Sequence, residues 1–118
     1  MHVLDKPIES VVVDSQNNAT ATATLAAPGA GFKWRVTGWR ASYSGAAVGT
    51  PTRATVTGII GVTIGRGVST NDGWECSLVN PADGANNGQP AIALPAGGVG
   101  AVGDVSIMAF KVPITLVD

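Results

Sequence analysis

The sequence predicts an all-β protein, an antiparallel sandwich or jelly roll of about seven or eight short strands. No window shows a 3.6-residue apolar period over the length of a helix. Threonine, valine and isoleucine recur along the chain, and stretches rich in Gly, Pro, Asn and Asp separate them at short intervals. Such alternation of strand-forming and turn-forming residues is typical of sandwiches and jelly rolls.

Seven segments fit the strand pattern, and turn-rich stretches such as APGAG at 27–31 and NPADGANNG at 80–88 separate them. The chain has 118 residues, which is the size of a typical domain, so we expect one β domain over residues 1–118. The predicted strands are Ile8–Asp14, Thr20–Ala26, Phe32–Ser44, Thr52–Ile64, Trp74–Val79, Gln89–Leu94 and Asp104–Ile114.

The first predicted strand contains an unbroken apolar run, Val11, Val12 and Val13. Such a run is typical of a strand buried on both faces, or of an arm that adds to the sheet edge of a neighbouring subunit. Residues 1–7 form a possible N-terminal arm. They carry charges where an export signal needs continuous apolar residues, so we expect synthesis in the cytoplasm without export.

The second predicted strand alternates threonine with alanine. Thr20, Thr22 and Thr24 would lie on one face, and the small apolar residues between them on the other. This pattern predicts a half-buried antiparallel strand near a sheet edge.

The third predicted strand, FKWRVTGWRASYS, holds most of the aromatic residues, and two of them, Trp34 and Trp39, lie five positions apart. An odd spacing would place them on opposite faces of an unbroken strand. An isolated glycine in a strand usually marks a β-bulge, and Gly38 would reset the alternation. One face would then form the core, with Phe32, Trp34, Val36, Trp39, Ala41 and Tyr43.

The opposite face of this strand would carry three cations, Lys33, Arg35 and Arg40. They are either solvated strand charges or a contact surface for an acidic partner.

Trp74 begins a later strand directly after a polar loop. It is either a half-exposed anchor for a sugar or an interface, or a tryptophan that closes the end of the sandwich.

The charge of the chain is low and balanced. Its net charge is −1, and charged residues make up 13% of the sequence. Such a surface lacks the basic field that nucleic acid or an anionic membrane attracts. The mean hydropathy of +0.27 indicates a surface that assembly covers. The longest weakly polar run, residues 91–103, is too short and too rich in Gly and Pro to span a bilayer.

Two motifs suggest chemistry, but neither has the context that the chemistry needs. GVGAVG at 98–103 fits a dinucleotide-binding glycine pattern, yet the β-rich DVSIMAFKVPI follows it instead of a helix. We therefore expect the glycines to form a flexible or tightly turned hairpin. Cys76 has no neighbouring base, since the single histidine is His2 at the terminus.

The acidic residues Asp72, Glu75 and Asp83 suggest a glycosidase pair, and Asp72 and Asp83 with Asn86 and Asn87 suggest a calcium site. Two of the three lie in turn sequences, where a hydrated carboxylate has no means of raising its pKa. No calcium-binding loop pattern is present. We therefore expect no enzyme activity, no metal and no cofactor.

Two stretches carry a family resemblance. ATLAAPGAGFKWRVTGWRASYSGAAVGTPT and LPAGGVGAVGDVSIMAFKV resemble small virion proteins of tailed bacteriophages, over residues 19–56 and 89–112. The resemblance implies a non-enzymatic sandwich or jelly roll, usually oligomeric. Such a subunit decorates or cements the capsid, or forms a small fibre or tail component. The family has no catalytic residues to transfer.

Together these observations predict a capsid decoration protein on the virion surface, made in the host cytoplasm. Its expected partners are the major capsid protein and further copies of itself, with a trimer favoured, and we expect no nucleic acid, membrane or small-molecule ligand. The alternative is a receptor-binding or glycan-binding fibre or tail module that uses Trp74 with the loops Asn71–Gly73 and Asn80–Gly88. The predicted contact residues are Val11, Val13, Lys33, Arg35, Arg40 and Trp74.

Overall fold

The computed structural model describes residues 9–48, 52–59, 62–70 and 72–114. In these ranges the chain is an all-β sandwich of two antiparallel sheets, which confirms the predicted fold class. The strands are β1 (Glu9–Asn17), β2 (Ala21–Thr24), β3 (Phe32–Gly45), β4 (Thr52–Ile59), β5 (Val62–Val68), β6 (Trp74–Asp83), β7 (Ala91–Leu94) and β8 (Ala101–Pro113).

The strand order is that of a jelly roll. The first sheet has the order β1-β8-β3-β6 and the second sheet the order β2-β7-β4-β5. The pairs are nested, because β1 pairs with β8, β2 with β7, β3 with β6 and β4 with β5. A long hairpin rolled in this way brings β3 beside β8 and β4 beside β7, and forms two interlocked Greek keys.

The core lies between the two sheets. Burial alternates along β2, β3, β7 and β8, so that every second side chain points inward. The largest fully buried side chains come from both sheets, and Trp39 and Ile107 of the first sheet accompany Ile92 and Val56 of the second. Burial of these apolar surfaces is the main favourable term for the fold.

The predicted β-bulge in β3 is confirmed. Val36 lies opposite Ala109 and Gly38 opposite Met108, so Thr37 is the extra residue, and its hydroxyl donates to the Met108 carbonyl at 3.3 Å. Trp34 and Trp39 consequently share the inner face, where both are buried. Gly38 itself is required by close approach, because a Cβ there would lie 2.6 Å from the carbonyl oxygen of Cys76.

Several predicted strand boundaries are wrong. The single strand predicted over 52–64 is two strands, β4 and β5, and β4 has a register irregularity near Gly58, whose φ is +82°. β6 continues to Asp83 instead of ending at Val79, and β8 begins at Ala101 instead of Asp104. Strand pairing overrides the weak local preference of Asn, Pro and Gly at these positions.

The hairpin predicted for the glycines at 98–103 is also wrong. This stretch connects β7 of the second sheet to β8 of the first sheet, and the last three residues already belong to β8. Gly98 and Gly100 have φ values of +113° and +81°, which allow the chain to turn from one sheet to the other.

The predicted arm, residues 1–7, lies outside the described residues. The described part of the chain contains no helix long and apolar enough to cross a membrane.

Candidate functional site

Five of the six predicted contact residues lie along the first sheet, on the side turned away from the core. We call this side the outer face. In one row across it, Val13 lies opposite Ser106, Ser106 opposite Arg40, and Arg40 opposite Glu75. The strand register therefore brings together residues that lie up to 93 positions apart, as Val13 and Ser106 do.

The apolar part of the outer face is near β1. Val11 and Val13 are 55% and 68% exposed. Val11 lies opposite Met108, and Met108 and Phe110 on β8 are half-buried. Exposed valines beside partly exposed larger side chains form an apolar patch of the kind that marks protein contact sites. The sequence prediction of a strand buried on both faces is wrong, because β1 is an edge strand with one exposed face.

Two of the predicted contact cations are held by one carboxylate. Lys33 Nζ lies 2.7 Å from Asp83 Oδ2, and Arg35 Nε lies 2.9 Å from Asp83 Oδ1. A second Arg35 nitrogen donates to the other carboxylate oxygen at 3.3 Å, so the contact is bidentate. The Arg35 hydrogen bonds, and then the Lys33 bond, hold the pKa of Asp83 below its usual value, against the opposing effect of burial.

Arg40, the third predicted contact cation, also has a partner. Arg40 Nε lies 3.5 Å from Glu75 Oε2, and both side chains are largely exposed. Such a pair contributes little stability, but it offsets the charge of Arg40. The charge of the outer face is therefore partly neutralised. The three predicted contact cations, Lys33, Arg35 and Arg40, are not a field of free cations.

A depression of about 520 Å³ lies on the outer face, beside Val13 and Arg40. Val13 is its exposed apolar residue, and the polar residues that line it are Asp14, Ser15, Arg40, Ser42, Asp104 and Ser106. Hydroxyl groups beside a carboxylate and a guanidinium can donate and accept hydrogen bonds. The depression can therefore receive a polar side chain or backbone group from a partner.

Trp74 is not on the outer face, and its prediction as an exposed contact residue is wrong. Its side chain is 7% exposed and packs edge to face against Trp39, with ring centroids 5.4 Å apart. The other reading of Trp74, a tryptophan that closes the end of the sandwich, agrees with this position. Pairing of Trp74 with Ala41 puts its side chain on the inner face, which the loop before it does not reveal.

Phe32 is likewise not a core residue. It is half-buried at the start of β3, where the Lys111 ammonium lies 4.5 Å from the centroid of its ring. This cation–π contact covers the ring at the sheet end. The other predicted core residues, Trp34, Val36, Trp39, Ala41 and Tyr43, are buried.

The two loops of the predicted glycan pocket do not meet. Asp83, within one loop, pairs with Arg35, whereas Trp74, directly after the other loop, pairs with Ala41. Six residues of extended strand separate these positions, which corresponds to about 20 Å. Asn71 lies outside the described residues.

Two asparagines of the second loop, Asn86 and Asn87, have structural partners instead. Asn87 Oδ1 accepts from the Gly29 N–H at 2.9 Å, and Asn86 Oδ1 accepts from the Gly31 N–H at 3.3 Å. The backbone N–H of Asn87 also donates to the Phe32 carbonyl. These amides brace the turn that precedes β3, so their side-chain oxygens are engaged within the chain.

Sequence reasoning missed Asp104, Ser106 and Met108 as members of the outer face. The alternation in GDVSIMAF already indicates that they share one face. What the local pattern lacks is the neighbour of that face, because β8 lies between β1 and β3 only in the folded sheet. Among the residues with described positions, no three His, Cys, Asp or Glu side chains cluster as metal ligands.

Comparison with protein-family models and with curated proteins finds no match to this chain.

Proposed function

We propose that this chain is a structural virion protein of a tailed bacteriophage, which binds the major capsid protein and stabilises the shell. The observation that carries the proposal is the outer face, with exposed Val11 and Val13 beside cations that internal carboxylates offset. The resemblance of residues 19–56 and 89–112 to phage virion proteins supports it. The jelly-roll order supports it as well, since viral capsid domains use this fold.

The proposed mechanism is binding alone. A subunit that contacts adjacent capsid proteins only in the assembled shell shifts the equilibrium toward that shell by mass action. Apolar contact through Val11 and Val13 supplies the favourable free energy, and the depression beside Val13 receives a polar group that fixes the orientation. The proposed location is the capsid surface, after synthesis in the host cytoplasm.

Electron microscopy of particles that contain the protein tests the location. We expect density for the jelly roll at repeated positions on the capsid lattice, with the outer face toward the major capsid protein. Density confined to the tail tip would exclude capsid decoration.

A sedimentation assay with capsids that lack the protein tests the surface. We expect the wild type to sediment with capsids and the double variant Val11→Asp, Val13→Asp to remain in solution. Thr22→Asp is the matched control, because Thr22 is also an exposed strand residue but belongs to the second sheet. Equal binding by the double variant and the control would exclude the outer face as the docking surface.

A second candidate function is receptor or glycan binding by a fibre or tail. Its binding site would be the depression, and not the pocket that Trp74 was expected to form. Its lining offers hydroxyl groups and the carboxylate of Asp104, which suit a sugar. No aromatic ring lines it, however, so a stacking surface is missing. Loss of cell-surface binding in Asp104→Ala, with capsid sedimentation unchanged, would favour this function.

A further inference from the structure

Among the described strands, β1 presents the longest sheet edge with uninterrupted pairing. β1 pairs with β8 over nine consecutive residues, Glu9 to Asn17, without a register shift. It contains no Pro, Gly, Lys or Arg, and its two charged residues are Glu9 at its first position and Asp14, which accepts from the Thr22 N–H of the second sheet. Natural edge strands are usually short, bulged or charged, because an edge with free backbone groups pairs with another strand.

The other three edge strands carry such protection. β6 contains Pro81, and its register to β3 is interrupted between Ser77 and Ala82. β5 carries Arg66 between two glycines, which weaken a strand. β2 is only four residues long, and the Thr22 N–H at its edge already donates to Asp14 Oδ2 at 2.9 Å.

The direction of the free backbone groups on β1 follows from one hydrogen bond. The Asn18 N–H donates to the Ala101 carbonyl at 3.1 Å. In an antiparallel ladder the bonded residues alternate, so the even-numbered residues of β1 bond to β8. The N–H and C=O groups of Val11, Val13 and Ser15 therefore point away from the sheet. No described backbone group outside the strands bonds to them.

We propose that β1 pairs with β1 of a second copy of this chain, antiparallel and around a twofold axis at Val13. This register opposes Val13 to its own copy, Val11 to Ser15 and Glu9 to Asn17, and so uses the whole strand. Each of these three pairs exchanges two backbone hydrogen bonds, whereas the even-numbered residues between them stay bonded to β8. No two like charges are directly opposite. An isologous contact of this kind satisfies the edge of both subunits at once.

The dimer joins the two outer faces into one eight-stranded surface. The Val11 and Val13 patches of both copies then become continuous across the twofold axis. The inference does not depend on capsid binding, because it concerns the isolated protein. A twofold dimer would replace the trimer that the sequence analysis favours.

Cysteine cross-linking tests the register. In the proposed dimer the Cα atoms of residue 13 and its copy are ~5.5 Å apart, within the range of a disulfide. Residue 11 is also exposed, but its copy lies about 14 Å away along the strand. We expect Val13→Cys to form a covalent dimer under mild oxidation and Val11→Cys not to. Both variants retain the native Cys76.

Sedimentation equilibrium tests the association itself. We expect the wild type to show twice the 11.8 kDa mass of one chain. Val13→Pro removes an outward N–H that β8 does not use, so we expect it to fold while association weakens by roughly tenfold or more. A monomer at every attainable concentration would overturn the proposal. So would an oligomer that Val13→Pro leaves intact, or equal cross-linking at positions 11 and 13.

Discussion

Trp39 and Trp74 meet edge to face in the core, with ring centroids 5.4 Å apart and an angle of 72° between the ring planes. One ring comes from the middle of β3 and the other from the first residue of β6. The contact joins the bulged strand to the edge strand of the same sheet. It also turns Trp74 from an expected surface residue into a buried one.

Trp74→Ala should therefore destabilise the fold. We expect a loss of roughly 3–5 kcal/mol in the free energy of unfolding, because truncation of a buried tryptophan leaves a cavity against Trp39. Chemical denaturation followed by circular dichroism measures it. Trp74→Phe, which keeps an aromatic ring, should lose less. An unchanged unfolding midpoint in Trp74→Ala would mean that the ring is not part of the core.

Gly38→Ala should also destabilise the fold, because of steric overlap with backbone. The added Cβ would lie 2.6 Å from the Cys76 carbonyl oxygen, so β3 and β6 must move apart. We expect a cost of roughly 1–3 kcal/mol. Gly67→Ala is the control, since its Cβ would meet only the Thr52 carbonyl at 3.8 Å. Equal thermal midpoints for the two variants would contradict the close approach.

Asn87 should be important for stability and not for ligand binding. Asn87→Gly keeps the positive φ of +56° accessible but removes the acceptor for the Gly29 N–H, and we expect a loss of about 1 kcal/mol. Asn87→Asp keeps an acceptor and should recover most of the loss. Thermal denaturation measures both. If neither variant changes the melting temperature, the amide does not brace the turn.

The Asp83 cluster should make stability depend on pH in the acid range. The folded-state pKa of Asp83 lies below its unfolded value of about 4, so the stabilisation is complete above that value. It is lost as the pH falls through the lower folded-state pKa. Asp83→Asn should flatten this part of the stability curve, whereas Ser77→Ala should not. Urea unfolding from about pH 2 to about pH 6, the range in which carboxyl groups titrate, checks the sign of the change in stability with pH.

The proposed binding to the capsid should depend only weakly on ionic strength. Asp83 and Glu75 offset the cations of the outer face, so few charges remain for a partner. Glu75→Gln removes the partner of Arg40 and should make binding depend more steeply on salt than in the wild type. The sedimentation assay at low and high salt measures both. A steep salt dependence in the wild type would instead indicate that Lys33, Arg35 and Arg40 form the main contact.

The sequence by itself determined the all-β class, the alternation of most strands and the bulge in β3. These features follow from local rules, namely the two-residue period of a strand and the effect of a glycine between two tryptophans. The same rules place Trp34 and Trp39 on one face, and both are buried there.

Only the tertiary structure decided which strands are neighbours and which charges are paired. Asp83 meets Lys33 and Arg35 because β6 pairs with β3 across nearly fifty residues of chain. Trp74 is buried because the same pairing turns it inward, although the polar loop before it suggests exposure. The outer face and the open edge of β1 arise from the rolled hairpin. Such non-local pairing is selected by burial of the whole core and leaves no mark in any short stretch of sequence.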